Sequence, residues 1–528
     1  MEKEYTGIIK AELIVEEQDS VWPAGLWYGN NSNYVTGLAC FQNGPILENE
    51  KLLKSFKVHS EEALSNSLEE ADGCFALMGQ TEAVTFAAVD RVCSIPVFYG
   101  LSPDGRLYVS ERAESIRKAI GAYEIDKEAE FELILIGLVF GDRTLLKNIY
   151  QMLPGQYLLY DRISGILRIK QYFMPGKIGD NQYRDSNFFE ALDQVYERSF
   201  SSWAKWLDGR RVVLPLSGGS DSRFVAIKLK ELGCRDVHCI SYNYARRDWE
   251  IDIAREVADY LGFKWTFIDC KPLLYRKYFQ KVLSDKMILD FTNYCSWPVM
   301  QEWAPLLKIC EGEDTKDLVH VSGHGGAFMG DALPNIVYER DVIKAETLVN
   351  AFCDSYSSKY MISNDRCFNN FKSKLLESLP PEISMDEGLD WLLKFKWMER
   401  ASKMIGRGLT IAPRFLGFNF IFPLIGKEAL KIWFGAPASL LKGKKTFNAY
   451  VHSKAPLLPV GNQYVVQKKI VNQMFDLFSL KWAELKLHEK IFLLFKAKGN
   501  LKKYYLLTIG RGYRLIALNS IKKALKLV

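Results

Sequence analysis

Short apolar runs separated by Gly, Asn and Asp dominate the first third of the chain. Runs 7–15, 74–77, 83–89, 97–99, 107–110 and 155–160 read as strands with few long helices between them. They predict a layered, β-rich domain over residues 1–190. Residues 184–206 carry a helical spacing and lead into a second domain. From Arg211 the pattern changes. Apolar runs 212–216, 237–241, 265–269 and 319–322 alternate with helical stretches at 223–232 and 249–261. This is the βαβ rhythm of a parallel sheet. Residues 335–450 are mainly helical in pattern, and 455–459 is a proline-bearing loop. The predicted domains are therefore 1–190, 191–455 and a helical extension over 456–528.

Composition adds limits. A chain of 528 residues has room for two or three domains. A net charge of +6 is mild for that length and gives no reason to expect nucleic acid as a partner. The ten cysteines form no C-x-x-C pair and no metal-like spacing, which fits a reducing compartment better than a disulfide framework. No leader segment is read at the start and no apolar stretch approaches the ~20 residues of a spanning helix. The expected location is cytoplasmic. The charge is uneven, because residues 461–528 hold 14 Lys or Arg against 3 Asp or Glu. Leucines and aromatics interleave with those lysines. Such a tail either packs on the core with its lysines in water or makes peripheral contact with an anionic bilayer, here at the inner face of the membrane.

One string carries chemistry. Val212-Val213-Leu214-Pro215-Leu216 runs straight into Ser217-Gly218-Gly219-Ser220-Asp221-Ser222 and then into a helical pattern. Glycines allow close backbone approach, and a helix start offers N–H groups and a field that favours anions. An aspartate there would repel phosphates unless Mg²⁺ lies between them. The string therefore predicts a nucleotide pyrophosphate site with Asp221 on the metal, although G-x-x-x-x-G-K-[ST] is absent. A second glycine loop, Ser322-Gly323-His324-Gly325-Gly326, follows another strand. In an open parallel sheet both loops point to one site beyond the carboxyl ends of the strands.

The S-G-G-S-D-S loop resembles the pyrophosphate loop of the asparagine synthetase family, a branch of the ATP-pyrophosphatases. Asp248-Trp249-Glu250, the second glycine loop, Glu399-Arg400-Ala401-Ser402-Lys403, Arg414-Phe415 with Pro423-Leu424, and Leu441-Lys442-Gly443-Lys444-Lys445 are similar to later family segments, in the family's order. The resemblance implies ATP and Mg²⁺ as cofactors and adenylation of a substrate carboxylate. Pyrophosphate leaves, an amine or ammonia attacks, and AMP leaves. It also implies roles for residues. Ser217, Gly218, Gly219, Ser220, Asp221, Ser222, Gly323 and Gly325 would hold phosphates, while Leu214 and Ser241 would frame the nucleoside. Lys444, the favoured member of Lys442, Lys444 and Lys445, would meet the crowded phosphate. His324 and Glu399 are candidates for contact with the reacting groups, as is Glu302. His324 could equally brace its loop, and Glu399 could pair with Arg400 or Lys403. Where the family carries an acidic metal ligand after the second glycine loop, this chain has Ala327. Asp331 is the replacement candidate.

The first domain resembles the family's glutaminase, an N-terminal-nucleophile fold, through Asp72-Gly73-Cys74-Phe75-Ala76, Asp90-Arg91 and Pro96-Val97-Phe98-Tyr99. Active members carry cysteine after the initiator methionine, and its α-amine serves as the base. Glu2 stands there, so no glutamine hydrolysis is expected. Nitrogen would come from free ammonia, a separate ammonia-supplying subunit, or an amine on a substrate. Cysteine-less relatives include β-lactam synthetases, lasso-peptide cyclases and enzymes of polysaccharide clusters. The expected substrate is a sugar acid or another acidic metabolite, free or carrier-bound. The alternatives are a peptide macrolactam cyclase and an inactive scaffold.

Overall fold

The computed structural model describes residues 2–8, 10–15, 26–30, 32–180, 183, 187–243, 248–270, 278, 285–297, 301–330, 333–357 and 366–458. The expected extension over 456–528 therefore lies almost wholly outside the described residues.

Twelve strands build the first domain: β1 Lys3–Tyr5, β2 Lys10–Ile14, β3 Tyr28–Gly29, β4 Asn33–Phe41, β5 Leu47–Glu48, β6 Ala71–Gln80, β7 Val84–Val89, β8 Phe98–Leu101, β9 Arg106–Ser110, β10 Ile149–Gln151, β11 Gln156–Asp161 and β12 Ile166–Gln171. They form an eight-stranded sheet in the order β1-β12-β11-β7-β6-β4-β3, with β5 on β4, and a four-stranded sheet in the order β10-β8-β9-β2. Side chains alternate along a strand, so β6 can serve two cores. Cys74, Ala76 and Met78 face the smaller sheet with Val109 and Leu107. Phe75 and Leu77 face the opposite way, with Leu52, Leu64 and Leu68 of helices Asn49–Ser55 and Glu61–Glu70. Helix Ala113–Ile120 covers the far side of the smaller sheet through Ile116. The result is helix, sheet, sheet, helix: the layered architecture expected for the glutaminase type. The helices are short, and six of the twelve strands, β1, β3, β4, β5, β10 and β12, were not read from the sequence.

Helix Phe188–Leu207 crosses to the second domain. There β13 Arg211–Pro215, β14 Val237–Asn243, β15 Lys264–Asp269 and β16 Leu318–Val321 fall where the apolar runs place them. A small hairpin-like pair, β17 Val342–Lys344 and β18 Glu382–Ser384, stands apart, and β19 Asn419–Ile421 completes the parallel sheet in the order β15-β14-β13-β16-β19. Residues 335–450 are mainly helical, as their pattern reads, but three short strands the pattern did not show lie among the helices. Three residues cannot display a period, and the flanking aromatics of Phe418 and Phe422 hide the strand. The chain moves outward from β13 to β14 and β15, then returns to place β16 on the other side of β13. That reversal is a topological switch point, the crevice where ligands enter open α/β sheets.

The two domains share buried contacts. Phe420, Phe422 and Leu409 join the core between the two sheets of the first domain. Arg414 lies 2.7 Å from Glu111, which also accepts from Trp27 Nε1 at 2.8 Å. Arg112 reaches Asp290 at 2.7 Å, and Trp397 Nε1 donates to the Arg91 carbonyl at 2.6 Å.

Candidate active site

The pyrophosphate loop is a strand end folded over its own serines. Val212, Val213 and Leu214 are buried in β13, and Pro215 ends the strand. Ser217 N–H donates to Ser222 Oγ at 3.1 Å, and Gly219 N–H donates to Ser217 Oγ at 3.2 Å. Arg223 ties the Gly218 carbonyl at 3.1 Å. Helix Ser220–Glu231 then starts behind Gly219, a cap residue with no side chain to offer. The first-turn N–H groups are thus available to an anion.

The second loop meets the first across the β13–β16 boundary. Gly326 N–H donates to Asp221 Oδ2 at 3.1 Å. Gly323 backs directly onto Ser222, so closely that a Cβ at 323 would lie 2.6 Å from its Cα. Gly325 packs on Leu424 in the same way. A Cβ at Gly326 would collide with the Asp221 carboxylate and the Lys444 ammonium. Gly326→Ala is therefore expected to retain its fold by circular dichroism and to weaken ATP·Mg²⁺ binding by about tenfold or more in calorimetry. Wild-type affinity in this variant would mean the crowded corner is not the phosphate site.

Lys444 closes the third side. Its Nζ lies 2.5 Å from Asp221 Oδ1, whereas Lys442 and Lys445 are exposed and Lys442 lies over the Tyr338 ring. Lys444 caps helix Lys445–Lys454 in the left-handed region, at φ 60°. One turn into that helix, Asn448 Oδ1 accepts from Ser220 Oγ at 2.6 Å. Asn448 carried no signal in the sequence beyond its i+4 spacing from Lys444, which places the two on one helix face.

Other expectations sort differently. Ser241 is buried within β14, two residues before its end, with its hydroxyl committed, donating to the Leu216 carbonyl at 2.7 Å and accepting from Trp265 Nε1 at 2.9 Å. Leu214 points into the core. Both can frame a nucleoside only through backbone. Glu399 is not brought to the loops' hydrogen-bond network. It lies on a π-helical segment, Lys396–Gly406, where Gly141 N–H donates to one oxygen at 3.0 Å and Lys403 Nζ lies 2.5 Å from the other. Burial raises its carboxyl above the usual range against the pull of Lys403. Lys403 also donates to the Val139 carbonyl at 2.8 Å, so the pair ties the first domain to the second. Of the two readings the sequence left open for Glu399, the structure shows the pair with Lys403. His324 stands half-buried at the site with Nδ1 3.1 Å from Ser322 Oγ, the bracing arrangement. Beneath it the buried Glu302 carboxylate lies 2.7 Å from His320 Nε2 and accepts from Tyr242 at 3.3 Å. Burial would raise Glu302, but His320, His324 and Tyr242 hold it below its usual value.

Asp331 lies outside the described residues. Among the described residues, no group of three or more His, Cys, Asp or Glu forms a metal cage. Asp221 stands alone at a corner with a glycine opposite it. Such a donor set fits Mg²⁺ that brings its remaining oxygens as water and phosphate, the ion's common habit. In the first domain Glu2 is exposed, and Cys40, Cys74 and Cys93 are buried. Burial pushes the Cys40 thiol up to about 12 and the Cys93 thiol up to about 11. No helix among the described residues is long and apolar enough to cross a membrane.

Two family models match parts of the chain. Residues 49–173 match the family model of a glutamine amidotransferase domain, and residues 206–326 match that of asparagine synthase. No curated protein matches the chain. Among solved structures, the chain is similar to the allosteric regulatory enzyme of purine biosynthesis, at 13% identity and a TM-score of 0.20, over 47% of this chain and 62% of that one. It is also similar to the glutamine phosphoribosylpyrophosphate amidotransferase of B. subtilis complexed with ADP and GMP, at 11% identity and a TM-score of 0.19, over 46% of this chain and 71% of that one. The chain thus spans less than two thirds of the first of these.

Proposed function

The chain is an asparagine synthetase-family protein, and from that premise we propose that it is an ATP-dependent amide-forming ligase that releases AMP and pyrophosphate. The observation that carries this reading is the convergence of two glycine loops at the switch point, joined by Gly326 N–H on Asp221 and closed by Lys444. A carboxylate oxygen of the substrate attacks the α-phosphorus of ATP, and the bond to the bridging oxygen breaks. Charge grows on the departing pyrophosphate. In this reading the first-turn N–H groups of helix Ser220–Glu231 and the Lys444 ammonium meet that charge. Mg²⁺ on the phosphates, held by Asp221, would screen it. A nitrogen nucleophile then attacks the acyl carbon, and the bond to AMP breaks. In this reading His324 braces the second loop through Ser322.

Glutamine is not the nitrogen source in this proposal. The described cysteines of the amidotransferase domain are internal and buried, with thiols held protonated. An exposed glutamate occupies position 2. Ammonia, from solution or a partner subunit, or a substrate amine serves instead. The acyl substrate is a sugar acid or another small acidic metabolite, as in polysaccharide pathways. The test incubates the full chain with ATP, Mg²⁺, ammonium and a panel of sugar acids and other carboxylates. AMP and pyrophosphate are expected to form only when a carboxylate is present, with no glutamate released from glutamine. ADP as the product would overturn the reading, and glutamate release would overturn the assignment of the first domain.

A further inference from the structure

Lys444 and Asn448 do more than border the loop. They grip adjacent residues of it, Asp221 and Ser220, from one face of one helix. The grip is rigidly mounted. Phe447, between them, is fully buried and packs edge-on against Phe224 with ring centroids 5.8 Å apart. Tyr450 meets the same Phe224 ring at 5.4 Å. Phe224 belongs to the helix that the pyrophosphate loop begins, so grip and loop share one aromatic anchor. Gly443 and Lys444 both sit at left-handed φ, 62° and 60°. A lysine in that region is held against its own preference, which requires the surroundings to over-determine it. The strained cap is what aims the ammonium back at Asp221.

The aim has a consequence for metal binding. Asp221 Oδ2 is taken by Gly326 N–H, and Oδ1 faces the Lys444 ammonium at 2.5 Å. A divalent cation needs one of these oxygens, and both cations cannot share so short an approach. We propose that Lys444 and the divalent cation compete for Asp221, so that the metal enters as a nucleotide complex and not alone. Phosphate oxygens would offer Lys444 a replacement partner at the moment the metal takes Asp221. The exchange keeps each charge matched throughout. Asn448 would keep Ser220 in place during it. The inference rests on the nucleotide reading above and names how that site takes its metal.

The test uses Mn²⁺ alone as probe, followed by electron paramagnetic resonance of the free ion, on the full chain. Lys444→Met is expected to bind Mn²⁺ about tenfold more tightly than wild type, and ATP·Mg²⁺ about tenfold more weakly. Lys444→Arg, which keeps the charge, is expected to stay near wild type for Mn²⁺. Asn448→Ala is expected to leave Mn²⁺ affinity unchanged and to weaken ATP·Mg²⁺ about threefold. Adding Asp221→Asn to Lys444→Met is expected to abolish the gain. Equal Mn²⁺ affinity in wild type and Lys444→Met, with both folded by circular dichroism, would overturn the competition even if ATP·Mg²⁺ binds. A tighter Mn²⁺ site in a chain that never binds ATP·Mg²⁺ would uphold the competition and overturn the nucleotide reading instead.

Discussion

Asp221→Asn is expected to erase the magnesium dependence of ATP binding and to lower AMP formation by about 10²–10³-fold. The substitution is close to isosteric, and its carbonyl oxygen can still accept from Gly326 N–H. What goes is the charge. The Lys444 ammonium, 2.5 Å away, would then face a neutral amide and attract phosphate directly. Metal-free ATP should therefore bind the variant at least as well as it binds wild type, while added Mg²⁺ brings no gain. Calorimetric titration with ATP, with and without Mg²⁺, reads this as a ratio of two affinities, which a general loss of fold would not shift selectively. A variant that keeps the wild-type ratio would remove Asp221 from the metal, and with it the assignment of the loop.

The pyrophosphate loop was legible because all its parts are contiguous: apolar strand, glycines, hydroxyls, carboxylate and helix start within one string. The second loop was legible through its own glycines, and the parallel order of β13 and β16 makes the two neighbours. Lys444 could be chosen from three lysines only with help from family order. Its geometry depends on a left-handed cap that no composition announces. Asn448 was invisible, since an exposed asparagine in a helix has many ordinary explanations. The pairing of Glu399 was legible as one of two alternatives, but its burial was not. The spacing to Lys403 promised a helix-surface pair, and the pair exists, but packing buried it against the first-domain carbonyls of Val139 and Gly141. His320 was missed because an apolar strand gives no hint which buried side chain will face a carboxylate. The short strand β19 failed for want of length, although the site's sheet depends on it.

Arg414→Met is expected to destabilise the chain by about 3–5 kcal/mol and to split its thermal unfolding into two steps. Arg414 lies in helix Arg407–Leu416 of the second domain, and Glu111 follows β9 of the first. Both are buried, 2.7 Å apart, and Glu111 also holds Trp27 Nε1. Removing the guanidinium leaves a carboxylate in the interface with its main counter-charge gone. Glu111→Gln would instead leave Arg414 with a neutral acceptor and should cost less, because the amide can still take one hydrogen bond from it. The double substitution, Glu111→Gln with Arg414→Met, should recover part of the loss, as a matched neutral pair does. Calorimetry separates this from a local packing defect. An interface that couples the domains predicts a lower first transition assignable to one domain, followed in time by hydrogen exchange confined to it. A single transition shifted by less than about 1 kcal/mol would mean that the first domain is held by its shared apolar core, through Phe420, Phe422 and Leu409, and not by this ion pair. The result bears on function directly. If the first domain is needed to keep Arg414 in place, it serves as a scaffold for the second domain.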